Sequence, residues 1–438
     1  MSLWVASSKS SMLVPRGLVS WYSSILRRFY HIYIITGESS GDKLGYHLVQ
    51  ALQKLDKQLI VRGVGGPLMR KQGMQSLFPA EELSVMGWFP VWSRLFRLVW
   101  RWKQVQRDIW DRWPDAIVAI DSKGFSGRIF RYFRQYATKS PSNSMNREKK
   151  KPLHIQYVGP SVWAIRDGLS VARKFGQWVD HLLLLFPMET KIWKQVNVPW
   201  TVVGPSFGEY IALVDTWKKQ QSSTRRKRKS QRLVVLLGSR MQEVKRAAPI
   251  VMQCIEKWRQ QQQLYDDNPL QLVIPCVGHT RRWMENFVRS YALDIEWVDG
   301  EEERGYLEAL FTSDLAIAVS GTAVMECHLC QLAVIVIYPC DWWTSWMIRK
   351  KVSVPFASIA NIMLGKCVVP ELLLDQCNVE NLLPLLRDGL NRPEWRTRQL
   401  LELQPFLDYF RQLVQSQGKP SDIAAKTILS LLKDQTTQ

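Results

Sequence analysis

A chain of 438 residues exceeds the roughly 250–300 residues that one hydrophobic core supports, so two domains are expected. With 46% hydrophobic and 22% charged residues the composition is that of a folded protein, and no apolar run approaches the ~18 residues of a membrane-spanning helix. The seven cysteines are odd in number and absent from the first 253 residues, which excludes a disulfide scaffold and suits a reducing compartment.

The net charge of +20 invites a nucleic-acid reading until its distribution is examined. Residues 1–30 carry +4, residues 139–151 carry +4 and residues 218–232 carry +8, which leaves only +4 on the rest of the chain. Arg225-Arg226-Lys227-Arg228-Lys229 resembles a nuclear localisation signal. It lacks the interleaved aromatics of a nucleic-acid surface, so no nucleic-acid partner is expected.

In chain order, residues 1–30 contain no acid, eight serines within the first 24 positions, and Leu18, Trp21, Tyr22, Ile25 and Leu26 at helical spacing. That is the composition of an organellar transit peptide, and the Ile-Leu-Arg-Arg-Phe-Tyr run favours a mitochondrion over a plastid. From His31 strands and helices alternate. Residues 32–35 form a short strand ending in Gly37-Glu38-Ser39-Ser40-Gly41-Asp42, and an amphipathic stretch follows over 44–52. Similar strands are expected at 116–120, 155–158 and 181–186, then at 233–237, 272–275, 315–318 and 334–338. The pattern predicts two Rossmann-like α/β domains facing a central cleft. The boundaries read as an N-terminal domain over 31–205, a basic linker over 206–232, a C-terminal domain over 233–395 and closing helices over 396–438.

Residues 88–113 hold six tryptophans interleaved with arginine and lysine. Trp92, Arg94, Arg97, Trp100, Arg101 and Trp102 are read as an interfacial patch on a basic amphipathic helix, with a core-packing helix as the alternative.

Three strand-to-helix turns combine glycine with small hydroxyl residues: residues 36–42, then Gly238-Ser239-Arg240, then Ser320-Gly321-Thr322-Ala323. Such turns expose backbone N–H groups at a helix N-terminus and suit an anion, with Arg240 as a bidentate phosphate partner; an ordinary capped turn is the alternative for each. None matches a P-loop or GxGxxG pattern. Asp121 ends an apolar run and reads either as a general base at the cleft or as the cap of the next helix. Cys327-His328-Leu329-Cys330 lacks a second ligand pair at zinc spacing, so its cysteines are read as structural and no metal is expected.

Together these motifs resemble the lipid-A-disaccharide synthase family, inverting glycosyltransferases of the GT-B fold. The resemblance runs from about Ile32 to Leu383. It rests on Gly37–Asp42, Gly65-Gly66-Pro67-Leu68-Met69, Glu81–Gly87, Asp121, Tyr157–Ala164, Gly238–Arg240 with Glu243, Ser320–Ala323 with Glu326, Asn361, and Val368–Leu372. It implies transfer from UDP-2,3-diacylglucosamine to 2,3-diacylglucosamine 1-phosphate, with the UDP-sugar as substrate and no cofactor. It assigns Asp121 as the base, and Gly238, Ser239, Arg240, Glu243, Ser320, Gly321, Thr322, Glu326 and Asn361 to the donor. Gly37, Glu38, Ser40, Gly41, Asp42, Ser161, Trp163 and Arg166 fall on the acceptor side. The partners implied are acylated glucosamine lipids at a membrane surface, with a homodimer as an open assembly. The chain departs from the family pattern at Lys123-Gly124, Gly159, Pro205, Leu237, Pro339, Ala360 and Lys366-Cys367. A catalytically inactive member of the fold and another UDP-sugar transferase or epimerase are the rival readings.

Overall fold

The run His31–Thr36 is β-branched and aromatic, is buried from its second residue onward, and forms β1. The structure, a computed structural model, describes residues 29–83, 91–139, 150–220, 230–262, 269–291 and 293–437. The transit-peptide reading and most of the two basic runs at 139–151 and 218–232 fall outside them.

After β1 come α1 (Ser39–Leu55), β2 (Ile60–Val64), α2 (Pro67–Lys71), β3 (Gln75–Ser76), α3 (Val91–Arg112), β4 (Ala116–Ile120) and α4 (Lys123–Lys139). Next are β5 (Leu153–Tyr157), α5 (Gly168–Gly176), β6 (His181–Leu184), α6 (Thr190–Lys194), β7 (Trp200–Val202) and α7 (Ile211–Gln220). Their strands make one parallel sheet in the order β3-β2-β1-β4-β5-β6-β7.

The second half repeats the plan. It runs β8 (Gln231–Leu236), α8 (Met241–Gln262), β9 (Leu270–Cys276), α9 (Gly278–Val288), β10 (Asp294–Asp299), α10 (Glu303–Phe311), β11 (Leu315–Val319) and α11 (Thr322–Leu329). Then follow β12 (Ala333–Tyr338), α12 (Trp342–Lys351), α13 (Ile359–Leu364), β13 (Glu371–Leu373), α14 (Val379–Asn391), α15 (Pro393–Gln417) and α16 (Pro420–Thr437). The second sheet is also parallel, in the order β10-β9-β8-β11-β12-β13.

Central strands β4 and β11 are buried at every position. Helices cover both faces of a parallel sheet, so its inner strands read as unbroken apolar runs. In both sheets the strand order reverses at the centre, between β1 and β4 and between β8 and β11. Ligands of such sheets bind at the carboxyl ends of the strands flanking that point.

Two expected boundaries change. Residues 206–220 are not linker: Phe207, Tyr210, Ile211 and Val214 are buried. The sequence blurs here because a 3-10 turn (Ser206–Tyr210) breaks the helical period before α7 begins. At the far side, Arg232 lies in β8, where its backbone N–H donates to Asp314 at 2.8 Å and its guanidinium pairs with Glu296 at 2.8 Å. The closing helices also return to the N-terminal domain. Buried Glu209 accepts the Ser421 N–H at 2.7 Å in the first turn of α16, where a carboxylate meets the positive end of the helix dipole. Ala424, Ala425 and Ile428 of α16 join the same buried cluster as Leu48 and Leu52 of α1.

Candidate active site

On the N-terminal side, Gly37 and Glu38 follow β1 directly. Glu38 precedes α1 in extended conformation but makes no cap bond with its side chain. Its carboxylate instead crosses to the other domain and accepts from Arg240, whose Nη2 donates to both oxygens at 2.8 and 2.7 Å. The remainder of the motif is architecture. Gly41 lies against the Thr36 hydroxyl and the Ile120 carbonyl, where a Cβ would come within 2.2 Å of Thr36 Oγ1. Ser40 is half-buried.

Asp42, expected on the acceptor side, serves the architecture instead. It is buried and accepts the N–H groups of Gly66, Leu68 and Met69 at 3.0, 2.9 and 3.2 Å. It thereby neutralises the orphan donors of α2 and locks the Gly65–Met69 turn to α1.

Asp121 follows β4 and has φ of +46°, while Val158 follows β5 with φ of +68°. Left-handed backbone at a non-glycine residue is uncommon and costs about 1–3 kcal/mol, so two such strand ends side by side mark an over-determined edge. The Asp121 N–H donates to the Tyr157 carbonyl at 3.1 Å, tying the two together. Asp121 is not the cap of α4. The Ser126 N–H bonds the Ser122 carbonyl at 2.8 Å, which makes Ser122 the cap position and leaves Asp121 one residue outside the helix.

On the C-terminal side, neighbouring strands β8 and β11 end in the two glycine turns. Gly238 has φ of +91°, and a Cβ there would come within 2.4 Å of Glu243 Oε2, so the turn requires glycine. The Arg240 carbonyl accepts the first bond of α8, from Val244, and Arg240 Nη1 reaches Glu243 at 3.4 Å. Gly238 and Ser239 are exposed beside it. Gly321 caps α11 without any side-chain cap bond, and Gly321 and Thr322 are exposed beside half-buried Ser320. An uncapped, exposed helix start presents its first N–H groups to an anion.

Glu326, one turn along α11, is buried and accepts the Tyr306 hydroxyl at 2.8 Å. Cys327 and Cys330 are buried and form no disulfide, Cys327 with its thiol pushed well up by burial. Among the described residues no group of three His, Cys, Asp or Glu side chains is gathered that could hold a metal.

Asn361 leaves the donor set. It is fully buried, with Oδ1 accepting from Val368 and Val369 at 2.9 Å each and Nδ2 donating to the Val369 carbonyl and Glu371. An amide with two donors and two accepted bonds has nothing left for a nucleotide. Asn361 and Glu371 instead staple α13 to the strand beyond it.

Ser161, Trp163 and Arg166 lie on the loop after β5, which docks on the C-terminal domain. The Arg166 N–H donates to the Lys351 carbonyl at 2.9 Å and the Ser353 N–H to the Ala164 carbonyl at 2.9 Å. Ile165 and Val352 form an antiparallel bridge between them. A third link went unseen in the sequence: the Tyr210 hydroxyl donates to Glu303 at 2.6 Å, with His47 Nε2 3.1 Å from that hydroxyl. Its two hydrogen bonds join residues 163 and 93 positions apart, and no local pattern announces them.

The Trp-rich helix α3 divides between the two readings. The side chains of Trp92 and Arg94 lie outside the described residues. Arg97 and Trp100 are exposed, Trp100 by 58%. Arg101 and Trp102, expected in the interfacial patch, turn inward instead. Arg101 pairs with Glu82 and lies over the Phe78 ring, and Trp102 packs edge-on to Tyr132 against the core. Positions 102, 105 and 109 form the buried stripe of an amphipathic helix, so Trp102 turns inward on geometry alone.

Two Rossmann-like parallel sheets meet at their carboxyl edges, with a strand-end carboxylate on one and anion-suited turns on the other; this is a two-domain GT-B protein. Solved structures share that fold at low identity. The UDP-GlcNAc 2-epimerase of Neisseria meningitidis bound to UDP-GlcNAc superposes with a TM-score of 0.58 at 11% identity, over 92% of this chain and 100% of that one. CalG4, the calicheamicin glycosyltransferase, gives 0.52 at 14% identity over 93% and 99%.

The sequence is more specific than the fold. The chain belongs to the lipid-A-disaccharide synthetase family, whose model matches residues 32–417, and it is a glycosyltransferase of that family. The lipid-A-disaccharide synthase of Rhodospirillum centenum is 31% identical over 92% of this chain and 94% of its own length. The probable mitochondrial lipid-A-disaccharide synthase of Arabidopsis thaliana is 30% identical over 91% and 90%.

Proposed function

We propose that the chain transfers the diacylglucosaminyl group of UDP-2,3-diacylglucosamine to 2,3-diacylglucosamine 1-phosphate. The products are the β-1,6-linked disaccharide 1-phosphate and UDP. The observation that carries this reading is the family match over residues 32–417, joined to a left-handed strand-end carboxylate at the edge that meets the two glycine turns.

In the proposed reaction Asp121 takes the proton of the acceptor 6-hydroxyl as its oxygen attacks the anomeric carbon of the donor. The bond from that carbon to the diphosphate breaks, its electron pair leaves with UDP, and the configuration inverts. The backbone donors of the turns after β8 and β11, with Arg240, receive the growing charge of the diphosphate. Glu38 holds Arg240 until the diphosphate displaces it.

The same reading assigns the protein to a mitochondrion, peripheral to a membrane. No helix among the described residues is long and apolar enough to cross one. Exposed Arg97, Val99 and Trp100 on α3, and Trp346 and Met347 on α12, are apolar and basic surface among the described residues that suits such contact.

Purified protein incubated with both lipids should release UDP and a disaccharide 1-phosphate identified by mass spectrometry. No product from the two lipids, with UDP still bound, would leave a nucleotide-binding but inactive member of the fold.

A further inference from the structure

We propose that a cavity beside the loop after β5 seats the phosphate and one acyl chain of the acceptor, with Lys191 and Arg166 as the cations and Met188 and Ile192 as the wall. The proposal rests on the function proposed above and names the acceptor's place within it.

The cavity is an open cleft of about 400 Å³, within the size range of small-molecule sites, and mixes an apolar lining with a few polar groups. Its walls come from the loop after β5 and from the segment after β6 that carries Met188, Lys191 and Ile192. Asp121 follows β4, which pairs with β5, and β5 pairs with β6. Base and cavity therefore lie along one carboxyl edge. From β4 to β6 is two strand spacings, about 10 Å. That span suits a single hexose whose 6-hydroxyl meets Asp121 while its 1-phosphate points the other way.

Charge separates the two substrates. The donor's diphosphate is matched by the turns after β8 and β11 on the other domain. The remaining anion is the acceptor phosphate, and Lys191 and Arg166 are both exposed, the Arg166 guanidinium reaching the Arg349 carbonyl at 3.4 Å rather than a carboxylate. A purely water-soluble sugar phosphate would leave Met188, Ile192 and Leu169 facing solvent; an acyl chain covers them, and burying apolar surface is favourable.

The far wall includes Ile362 of α13, in the C-terminal domain, next to the stapled Asn361. The Ile165–Val352 bridge closes the seam beside it. The cavity is thus complete only when the domains are docked, so an acceptor bound there favours the docked arrangement.

The test uses the full chain, with Lys191→Ala to remove the cation and Ile192→Trp to fill the wall. Acceptor KM should rise about ten-fold or more in each, with kcat and UDP affinity within two-fold of wild type, and Lys191→Arg should restore most of the loss. Exposed Lys191 keeps the test decisive if Ile192→Trp fails to fold. An unchanged acceptor KM in Lys191→Ala, or a matching fall in UDP affinity, overturns the assignment. If the wild type itself makes no product, the proposed function falls. Binding of 2,3-diacylglucosamine 1-phosphate in detergent micelles, wild type against Lys191→Ala, then decides the cavity: weaker binding by the variant supports it and equal binding overturns it.

Discussion

Arg240 and Glu38 hold each other across the interdomain cleft, 202 positions apart, through two contacts of 2.8 and 2.7 Å. Each side chain keeps about two-fifths of its surface exposed, so solvent and ligand both reach the pair. The arginine that suits a diphosphate already has an anion. A nucleotide must compete with Glu38, and the two partners oppose each other in binding.

Removing the competitor should therefore strengthen nucleotide binding. Glu38→Gln is expected to bind UDP more tightly than wild type, and Arg240→Ala to bind it about 10–100-fold more weakly, the range of a charge-assisted contact. Isothermal titration with UDP reads both. Weaker UDP binding in Glu38→Gln would show instead that the pair preorganises the site.

Asp121→Asn should abolish transfer by about 10²–10⁴-fold while UDP binding and thermal stability persist, because the amide is nearly isosteric and cannot take the proton. Turnover near the wild-type rate in this variant would assign the base elsewhere.

The divided helix α3 predicts opposite phenotypes for neighbouring tryptophans. Trp102→Ala should destabilise the fold by about 1–3 kcal/mol, since the indole packs on Tyr132, whereas Trp100→Ala should change stability by less than about 0.5 kcal/mol. Binding to anionic vesicles should show the reverse ranking, with Trp100→Ala and Arg97→Glu weakening it, and the charge-reversal effect fading at high salt. Equal loss of stability in both tryptophan variants would contradict this division.

His328 supplies a pH signature. The ring is fully buried, edge-on to Phe406, neither nitrogen has a hydrogen-bond partner, and burial pushes its pKa down to about 3. An unfolded histidine titrates near 6.5. Above that the ring is neutral in both states and contributes no pH dependence. As pH falls from about 6.5 toward 3, the unfolded chain gains a proton that the native chain refuses, so stability drops by up to ~1.4 kcal/mol per pH unit. His328→Leu should flatten that part of the acid slope, compared by urea unfolding near pH 7.5 and 5.5. An identical slope in both proteins would refute the assignment.

Replacing residues 221–229 by a Gly/Ser segment of equal length should preserve activity, because closure entropy is set mainly by loop length, which the replacement keeps. Extending the replacement to Lys218 and Arg232 should destabilise the protein, since Lys218 lies in the last turn of α7 beside Asp215 and Arg232 of β8 pairs with Glu296. A melting temperature unaffected by the longer replacement would count against the boundary drawn here.

Much of this protein is determined by its sequence alone. The unbroken apolar runs at β1, β4, β8, β11 and β12, each closed by a glycine or acid turn, suffice for two parallel α/β domains, because buried parallel strands and tight turns leave local signatures. Edge strands β7 and β10, and β2 beside the two-residue edge strand β3, were not legible, since half-buried strands such as Asp294–Asp299 interleave charges with apolar residues. What only the tertiary structure decided is which polar residues are spent on architecture. Asp42 and Asn361 look like site residues in a motif, yet their hydrogen bonds are consumed by backbone groups 7–27 positions away. Arg240 looks like a free phosphate partner until Glu38 arrives from the other domain. A hydrogen bond is short-ranged in space and indifferent to sequence separation, so the partner that exhausts a side chain is visible only once the chain has folded.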